Sequence, residues 1–347
     1  MIWQTQQDIR WLQIEITSLC QAGCIDCNRW RESNGKWLSN GYHNHFNKYY
    51  DTDKFRSHIN QFTNLSGVSI CGNVGDPMAH PQIAKIVEHI WETNDCDIDI
   101  STNGAIGTIE QYKQLAKFTP REFSVSFAID GLEDTNHIYR RGVVWKDLMK
   151  KVNTFIQAGG RAIWVWIDFP HTRHQLEQAK EMSRSLGFDS FEIRQRFTQT
   201  KKFDDQIIEA SKQPVLRNEF MTDQPVPLDE LEVQHREQMQ KFLNANYYID
   251  AACTHKSDNK FHHPCPHLNV DGTLWPCCYT ANGNYHKNLA IRQWWIDKDK
   301  QYGEGWNNLH SHSVNEILQS DFFTNDLQQS WNQDNLICYQ NCGKCKD

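Results

Sequence analysis

Leu12-Gln13-Ile14-Glu15-Ile16-Thr17-Ser18-Leu19-Cys20-Gln21-Ala22-Gly23-Cys24-Ile25-Asp26-Cys27 decides how this chain is read. Residues 12–17 alternate apolar and polar, the pattern of a half-buried strand, and run into a loop. That loop carries three cysteines, Cys20, Cys24 and Cys27, spaced C-x3-C-x2-C. Thiolates are soft ligands that suit iron–sulfur clusters or zinc. Three on one short loop can hold three irons of a cubane cluster and leave the fourth without a protein ligand. An open iron is a place for chemistry. The bland alternative is a zinc knuckle, but zinc pairs are usually C-x2-C with a second pair close by.

The chain has 347 residues, enough for one large domain and a smaller one, and its 13 Trp, 17 Phe and 11 Tyr supply a core. Net charge is −7 with no basic cluster, which disfavours nucleic acid as the main partner. The N-terminus lacks the basic and apolar regions of a signal peptide. No apolar run approaches the ~20 residues that span a bilayer, so no membrane partner is expected. Most of the 12 cysteines gather in two groups with metal-ligand spacing, unlike the disulfide framework of a short secreted chain. A cytoplasmic protein with reduced thiols is expected.

Strand-like segments at 12–17, 67–71, 97–101, 122–129, 161–169 and 190–194 alternate with helix-like segments at 52–64, 81–93, 109–117, 145–158 and 174–186. In the last, Leu176, Ala179, Met182, Ser183 and Leu186 form one stripe, as a helix packed on a sheet requires. This order predicts βαβ units and a parallel sheet. Six units fit an incomplete β/α barrel or an open doubly wound sheet. Two stretches break the pattern. Residues 29–50 are polar and aromatic, a candidate lid or substrate wall and otherwise a loop. Residues 197–246 are charged and Gln-rich, with a helical-looking run at 228–243. They read as a bridge between domains. The division expected is 1–196, a bridge at 197–250, and 251–347.

The cysteine spacing at the end of a first strand resembles the radical S-adenosylmethionine (SAM) superfamily. Other segments carry the same resemblance. Gly75-Asp76-Pro77, after the second strand, resembles the family's Gly-Gly-Glu-Pro-like turn, which holds the amino group of SAM's methionine. Ser101-Thr102-Asn103-Gly104 looks like its Thr-Asn-Gly element. Ser124 to Gly131 resembles its Ser-Ile-Asp-Gly element, with Ser126 and Asp130 implied at the ribose hydroxyls. Arg140, or else Arg141, is implied at the SAM carboxylate, a task that suits a guanidinium. Each element also has a plain reading: Gly-Asp-Pro and Asp-Gly are common turn sequences. One departure stands out. Family members usually carry an aromatic or apolar residue before the third cysteine, whereas this chain has Asp26. Adenine packing must then come from elsewhere, with Trp30 or residues 164–167 as candidates. The resemblance favours a partial, six-unit β/α barrel followed by a small cysteine-rich auxiliary-cluster domain.

The second cysteine group comprises Cys253, Cys265, Cys277, Cys278, Cys338, Cys342 and Cys345. Residues 265–277 read as a hairpin with an Asp-Gly turn that brings Cys265 and Cys277 together. Only two residues follow Cys345, so there is no room there for a second SAM-binding set of strands and helices. Gly-x4-Cys followed distantly by C-x2-C resembles the Twitch domain, a shortened SPASM domain. That implies one auxiliary 4Fe–4S cluster on Cys265, Cys277, Cys342 and Cys345, with Cys253, Cys278 and Cys338 left as replacements. A structural zinc ribbon is the alternative.

The resemblance implies an enzyme that reductively cleaves SAM to a 5′-deoxyadenosyl radical and takes a hydrogen atom from its substrate. Two 4Fe–4S clusters, SAM and an electron donor such as flavodoxin or ferredoxin are the implied cofactors and partners. Peptide modification, a crosslink or an epimerisation, is the first reading. Radical dehydrogenation or rearrangement of a small molecule is the second, and a non-catalytic iron–sulfur or zinc protein the third. The first strand begins by residue 12, so no separate leader-peptide-binding domain is expected before the barrel. That weakens the peptide reading. Cys71, at the end of the second strand, is a candidate hydrogen-atom donor to a substrate radical. Its plain alternative is a small buried space-filler.

Overall fold

The alternation that marks residues 12–17 as a strand recurs along the chain and sets the order of elements. In chain order these are β1 (Trp11–Ile14), β2 (Trp30–Ser33), β3 (Lys36–Ser39), α1 (Thr52–Ile59), β4 (Gly67–Ile70), α2 (Ile83–Thr93), β5 (Asp97–Thr102) and α3 (Ile109–Ala116). There follow β6 (Phe123–Ala128), α4 (Trp145–Gln157), β7 (Ala162–Ile167), α5 (Leu176–Leu186), β8 (Ser190–Arg194), α6 (Lys201–Ser211) and β9 (Leu216–Phe220). The last elements are β10 (Tyr247–Ile249), β11 (His267–Leu268), β12 (Leu274–Trp275), α7 (Leu289–Tyr302), α8 (Leu336–Cys342) and β13 (Gly343–Cys345). The computed structural model describes residues 3–25, 27, 29–33, 36–39, 49–196, 200–220, 237, 240, 247–251, 253, 265–281, 289–331 and 335–345. At 31–33, 36–39, 216–220, 247, 289–292, 340–341 and 344–345 it describes backbone alone.

Eight strands form one sheet in the order β12-β11-β1-β4-β5-β6-β7-β8. From β1 to β8 every pairing is parallel, with Ile14 opposite Ile70 and Ile70 opposite Ile100. This is the six-unit partial barrel. Helices cover the side that carries Leu12, Ile14, Val68, Ile70, Ile98, Ile100, Phe127 and Trp166, all essentially buried. α2 meets it with Ile83, Ile86, Val87, Ile90 and Trp91, spaced as one helical face. The other, inner face carries Gln13, Ser69, Asp99, Ser101, Ser124 and Ser126. A one-residue slip would put these polar groups under the helices, so the register is tightly specified.

Sheet pairing does not stop at the boundary expected near residue 250. The hairpin β11–β12 adds to the barrel edge, where His267 lies parallel to Gln13 and Leu268 to Ile14. Its turn needs Gly272, whose φ is +86°. Behind it Trp275, Trp295, Trp306 and Phe322 pack edge-on or tilted, the Trp306–Phe322 centroids 4.7 Å apart. Among the described residues two small sheets stand beside it: β2–β3 with β9 beside β3, and β10 antiparallel to β13.

Several boundaries differ from expectation. α1 ends at Ile59, short of residue 64, because Asn94 takes the next backbone groups: it donates to the Phe62 carbonyl (2.6 Å) and accepts from the Leu65 amide (2.9 Å). β6 begins at Phe123 because Glu122 sits at φ 55°. The stretch 29–50 opens with the β2–β3 hairpin; 40–48, the aromatic side chains at 37, 42, 43, 45 and 46, and Asp26 lie outside the described residues. So does the helix expected at 228–243, apart from residues 237 and 240. Among the described residues no helix is long and apolar enough to cross a membrane.

Candidate functional site

Parallel strands deliver their following loops to one edge of a sheet. Here the loops after β1, β4, β5 and β6 meet at that edge and are stitched together. The Asp76 amide donates to the Leu19 carbonyl (2.8 Å) and the Gly23 amide to the Arg141 carbonyl (2.8 Å). Arg29, buried, donates to the carbonyls of Ser18 and Val74. Gly75 lies so close to the end of β1 that an added Cβ would stand 1.8 Å from the Thr17 carbonyl oxygen. Only glycine fits there.

Cys20, Cys24 and Cys27 sit on this floor, each within electrostatic reach of the next. Their sulfurs meet donors: Ala22 N at 3.4 Å and Asn103 Nδ2 at 3.5 Å for Cys20, Arg140 Nη1 at 3.9 Å for Cys24. Burial pushes all three thiols up, Cys27 to about 11, and Arg140 opposes the shift at Cys24. A bound metal reverses that balance, since a coordinating thiol is deprotonated outright. Among the described residues no three His, Cys, Asp or Glu side chains converge on a single ion position. Three thiolates that each take a separate iron, with N–H donors at the sulfurs, fit an iron–sulfur cluster.

Asp76 is a clamp. One oxygen accepts from Met78 N (3.0 Å) and Thr102 Oγ1 (2.8 Å), the other from Asn103 N (2.8 Å). Burial raises its pKa and these donors oppose the rise. The Thr-Asn-Gly segment is thus bound to the Gly-Asp-Pro turn, while the Asn103 side chain reaches Cys20. Asp130 is likewise engaged, accepting from Ile167 N (2.7 Å) and Arg140 Nε (2.6 Å). Ser126 donates to Asp99, as does Ser124, both at 2.9 Å. Of the two arginines, Arg140 reaches a cysteine sulfur, that of Cys24; Arg141 donates to the Gly23 carbonyl of the same loop and to the carbonyls of Gln213 and Pro214. Cys71 lies on the inner face, partly exposed, with Gln13 Nε2 donating to its sulfur.

The sequence reading missed Glu15 and His267. Glu15 is 1% exposed, and its Oε1 accepts from Val74 N (2.9 Å) and Gly75 N (2.7 Å). Its Oε2 has no hydrogen-bond partner among the described residues and lies 4.0 Å from His267 Nε2. Burial carries Glu15 up to about 7 against those amides and carries His267 down to about 4. Asn73 was missed too; its Nδ2 donates to the Cys278 carbonyl (2.7 Å), joining this edge to the C-terminal hairpin. A cleft of ≈ 750 Å³ lined by Arg10, Asn94, Asp95, Arg121 and others opens at the opposite end of the strands, away from this chemistry.

In the C-terminal region the thiols fall into two neighbourhoods. Cys253, Cys277, Cys338 and Cys342 lie within electrostatic reach of one another, whereas Cys265 and Cys278 face Cys71 as well as Cys277. The Cys345 side chain lies outside the described residues.

No protein-family model matches the chain. No curated protein matches it either. Solved structures match it in fold. Against anSMEcpe with bound AdoMet the TM-score is 0.52 at 13% identity, over 90% of this chain and 78% of that one. Against Streptococcus suis SuiB bound to S-adenosylmethionine it is 0.54 at 12% identity, over 96% and 73%. SuiB bound to precursor peptide SuiA gives 0.54 at 12% identity, over 94% and 70%. These are radical SAM enzymes. The chain has their fold, a partial β/α barrel with a mostly parallel sheet, and at these identities the likeness is one of fold.

Proposed function

We propose that the chain is a radical SAM enzyme. The observation that carries this reading is the convergence of Cys20, Cys24 and Cys27 with Asn103, Arg140 and the Gly75-Asp76-Pro77 turn at one strand edge. With a four-iron cluster and SAM bound, the site supplies reductive SAM cleavage and hydrogen-atom abstraction. The chain's own residues orient and exclude. Gly75 lets the loop approach β1, while Asp76, Thr102 and Asn103 lock the methionine end of the SAM pocket. Arg140, held by Asp130, presents positive charge for a carboxylate, and Ser126 bounds the ribose side through Asp99. Flavodoxin or ferredoxin is the class of electron donor required. Anaerobic reconstitution should give broad absorbance near ~400 nm and release of 5′-deoxyadenosine from SAM with dithionite. Zinc in place of iron, with no 5′-deoxyadenosine, refutes the reading and leaves a metal-binding protein.

Peptide modification is the substrate reading we favour. It is supported by the likeness to SuiB bound to precursor peptide SuiA and to anSMEcpe with bound AdoMet and Kp18Cys peptide, the latter at TM-score 0.53. Loss of two hydrogens from a candidate peptide reports a crosslink, and deuterium uptake at Cα in heavy water reports epimerisation. The polar inner face, Gln13, Ser69, Asp99, Ser101 and Ser124, favours a second reading, dehydrogenation of a small hydroxylated molecule. Under the epimerisation reading, Cys71 stands on that face as the proposed hydrogen-atom donor. Its S–H bond breaks as the substrate C–H forms, and the thiyl left behind takes an electron from the external donor and a proton.

A further inference from the structure

We propose that Asp99 anchors the substrate inside the barrel, and that the group it takes is a cation, an ammonium or a guanidinium. This rests on the reading of the chain as a radical SAM enzyme and names the chemistry of its substrate.

The register of the sheet sets the place. Asp99 lies between Ser69 on β4 and Ser124 on β6, and Ser101 lies opposite Ser126. These side chains share the inner face, because side chains alternate along a strand and Ile98 and Ile100 fill the other face, 1% and 0% exposed. Asp99 keeps part of its surface open, and on this strand that part lies toward the barrel interior. Its Oδ1 accepts from Ser124 Oγ and Ser126 Oγ, each at 2.9 Å. Both serines are buried, so the carboxylate is held from the wall behind it. Its Oδ2 takes no hydrogen bond among the described residues. One oxygen is thus fixed and the other offered to the interior.

Hydroxyl groups orient a carboxylate but bring no charge to balance it. Arg194 on β8 is a basic group within electrostatic reach, yet it is engaged by Glu192, Nη2 to Oε2 at 3.0 Å. Glu192 and Arg194 lie opposite Val165 and Ile167 and share one face of β8. Their pair is neutral, and Asp99 is left uncompensated. Burial raises its pKa against the two serine hydrogen bonds, the sign of a carboxylate short of water. A charge held from water is stabilised by an opposite charge that also hydrogen-bonds to it, and here that partner must come with the ligand. Asp99 stands below Thr102, whose hydroxyl donates to Asp76 in the Gly-Asp-Pro turn at 2.8 Å. At about 3.3 Å per residue, a cation on Asp99 would sit roughly 10 Å from that edge. Such a gap suits a cation on an aliphatic stem, a lysine or arginine side chain or an alkylamine, with the reacting carbon toward SAM.

The test uses the full chain, reconstituted anaerobically with SAM present, and isothermal titration calorimetry. The probes are N-acetyl-lysine amide, its uncharged counterpart N-acetyl-norleucine amide, and butylamine. The lysine probe should bind about tenfold or more tighter than the norleucine probe, the range of a charged hydrogen bond. Asp99→Asn, which keeps an acceptor for both serines, should remove that difference. Two further variants act in opposite directions, which misfolding could not imitate. Arg194→Gln leaves Glu192 unpaired and should widen the difference, and Glu192→Gln frees Arg194 and should narrow it. Butylamine bound as tightly as the lysine probe assigns the cation to a small amine; weaker butylamine assigns it to a peptide side chain. Equal binding of the lysine and norleucine probes, or a difference that survives Asp99→Asn, overturns the anchor. Release of 5′-deoxyadenosine with dithionite is read in the same preparations. Release without the charge preference keeps the radical SAM reading and strikes this one, and the charge preference without release does the reverse.

Discussion

The buried pair Glu15–His267 makes a prediction that neither residue alone would. Glu15 rises from 4.5 to about 7 on folding. Between those pH values the unfolded chain has released a proton that the folded protein keeps, so stability falls as pH rises. His267 drops from 6.5 to about 4. Between those values the unfolded chain has taken up a proton that the folded protein refuses, so stability rises with pH. Each effect spans about 3 kcal/mol, at about 1.4 kcal/mol per pH unit, and the two windows overlap from pH 4.5 to 6.5. In the wild-type protein they cancel. Glu15→Gln keeps an acceptor for the Val74 and Gly75 amides but removes the titration. It should therefore gain stability relative to wild type as pH rises, by about 1.4 kcal/mol per unit. His267→Gln should show the opposite slope, and the double variant should follow wild type. Other buried groups, among them His58 and His171, which burial also carries to about 4, act alike in all four proteins and drop out of the differences. Asp271, Cys27 and Cys71 lie within electrostatic range of Glu15 and are unchanged in every variant. Urea unfolding followed by circular dichroism from pH 4.5 to 8, in reduced metal-free protein, reads these slopes directly. Parallel pH profiles for all four proteins would refute the burial argument.

Asp76→Ala strands the amides of Met78 and Asn103 and the Thr102 hydroxyl, each at a cost of about 1–3 kcal/mol. The thermal midpoint should drop together with SAM affinity; lost SAM affinity at unchanged stability would make Asp76 a direct ligand contact instead of a clamp. Asn103→Ala removes an N–H donor from the Cys20 sulfur. Because hydrogen bonds to cluster sulfurs help set the potential, a potentiometric titration of the first cluster should shift to more negative values, and an unchanged potential would deny that contact. Cys71→Ala should leave SAM cleavage and iron content intact while the normal product gives way to a dehydrogenated or trapped one, and normal product returns Cys71 to a space-filling role.

The barrel was legible because its strands bury two kinds of face. Leu12, Ile14, Ile98 and Ile100 alternate with polar residues, and the helices between them carry apolar stripes at helical spacing, so each element declares its type locally. The cysteine loop was legible for a different reason: three thiols within eight residues have few chemical uses. What alternation hides is the nature of the polar face. Gln13, Glu15, Ser69 and Asp99 give the pattern that a solvated surface would give. That they point into a barrel follows only from closure of the sheet, which is a long-range fact. The β1–β11 pairing is of the same kind. It joins residues some 250 apart in sequence, and it is what buries Glu15 and His267 against each other.

The auxiliary cysteines show how far spacing can carry an argument. Cys342-x2-Cys345 and the Cys265–Cys277 hairpin look like paired ligands because short loops usually bring neighbours in sequence to one metal. In this chain Cys342 closes a helix and Cys345 closes the strand that follows it, so the two stand on different elements. A helix favours residues four apart, and that choice brings Cys338 in beside Cys342. Cys265 and Cys277 flank an antiparallel hairpin whose first strand is pulled into the barrel sheet by β1. In that hairpin His267 pairs with Trp275, which leaves Cys265 opposite Cys277; Cys265 also lies within electrostatic reach of Cys71, and Cys277 of Cys342 at the end of α8. Which thiols neighbour one another therefore depends on the ladder between β1 and β11, and severing that ladder should change which thiols meet. Pro at Leu268, which removes the amide that faces β1 in the parallel ladder, should release Cys265 from Cys71 without touching α8. Selective alkylation read by mass spectrometry would show it as faster labelling of Cys71 and Cys265 at an unchanged rate for Cys338 and Cys342. Equal acceleration at all four would mean that hairpin and helix unfold together, and that the two thiol neighbourhoods are not independently built.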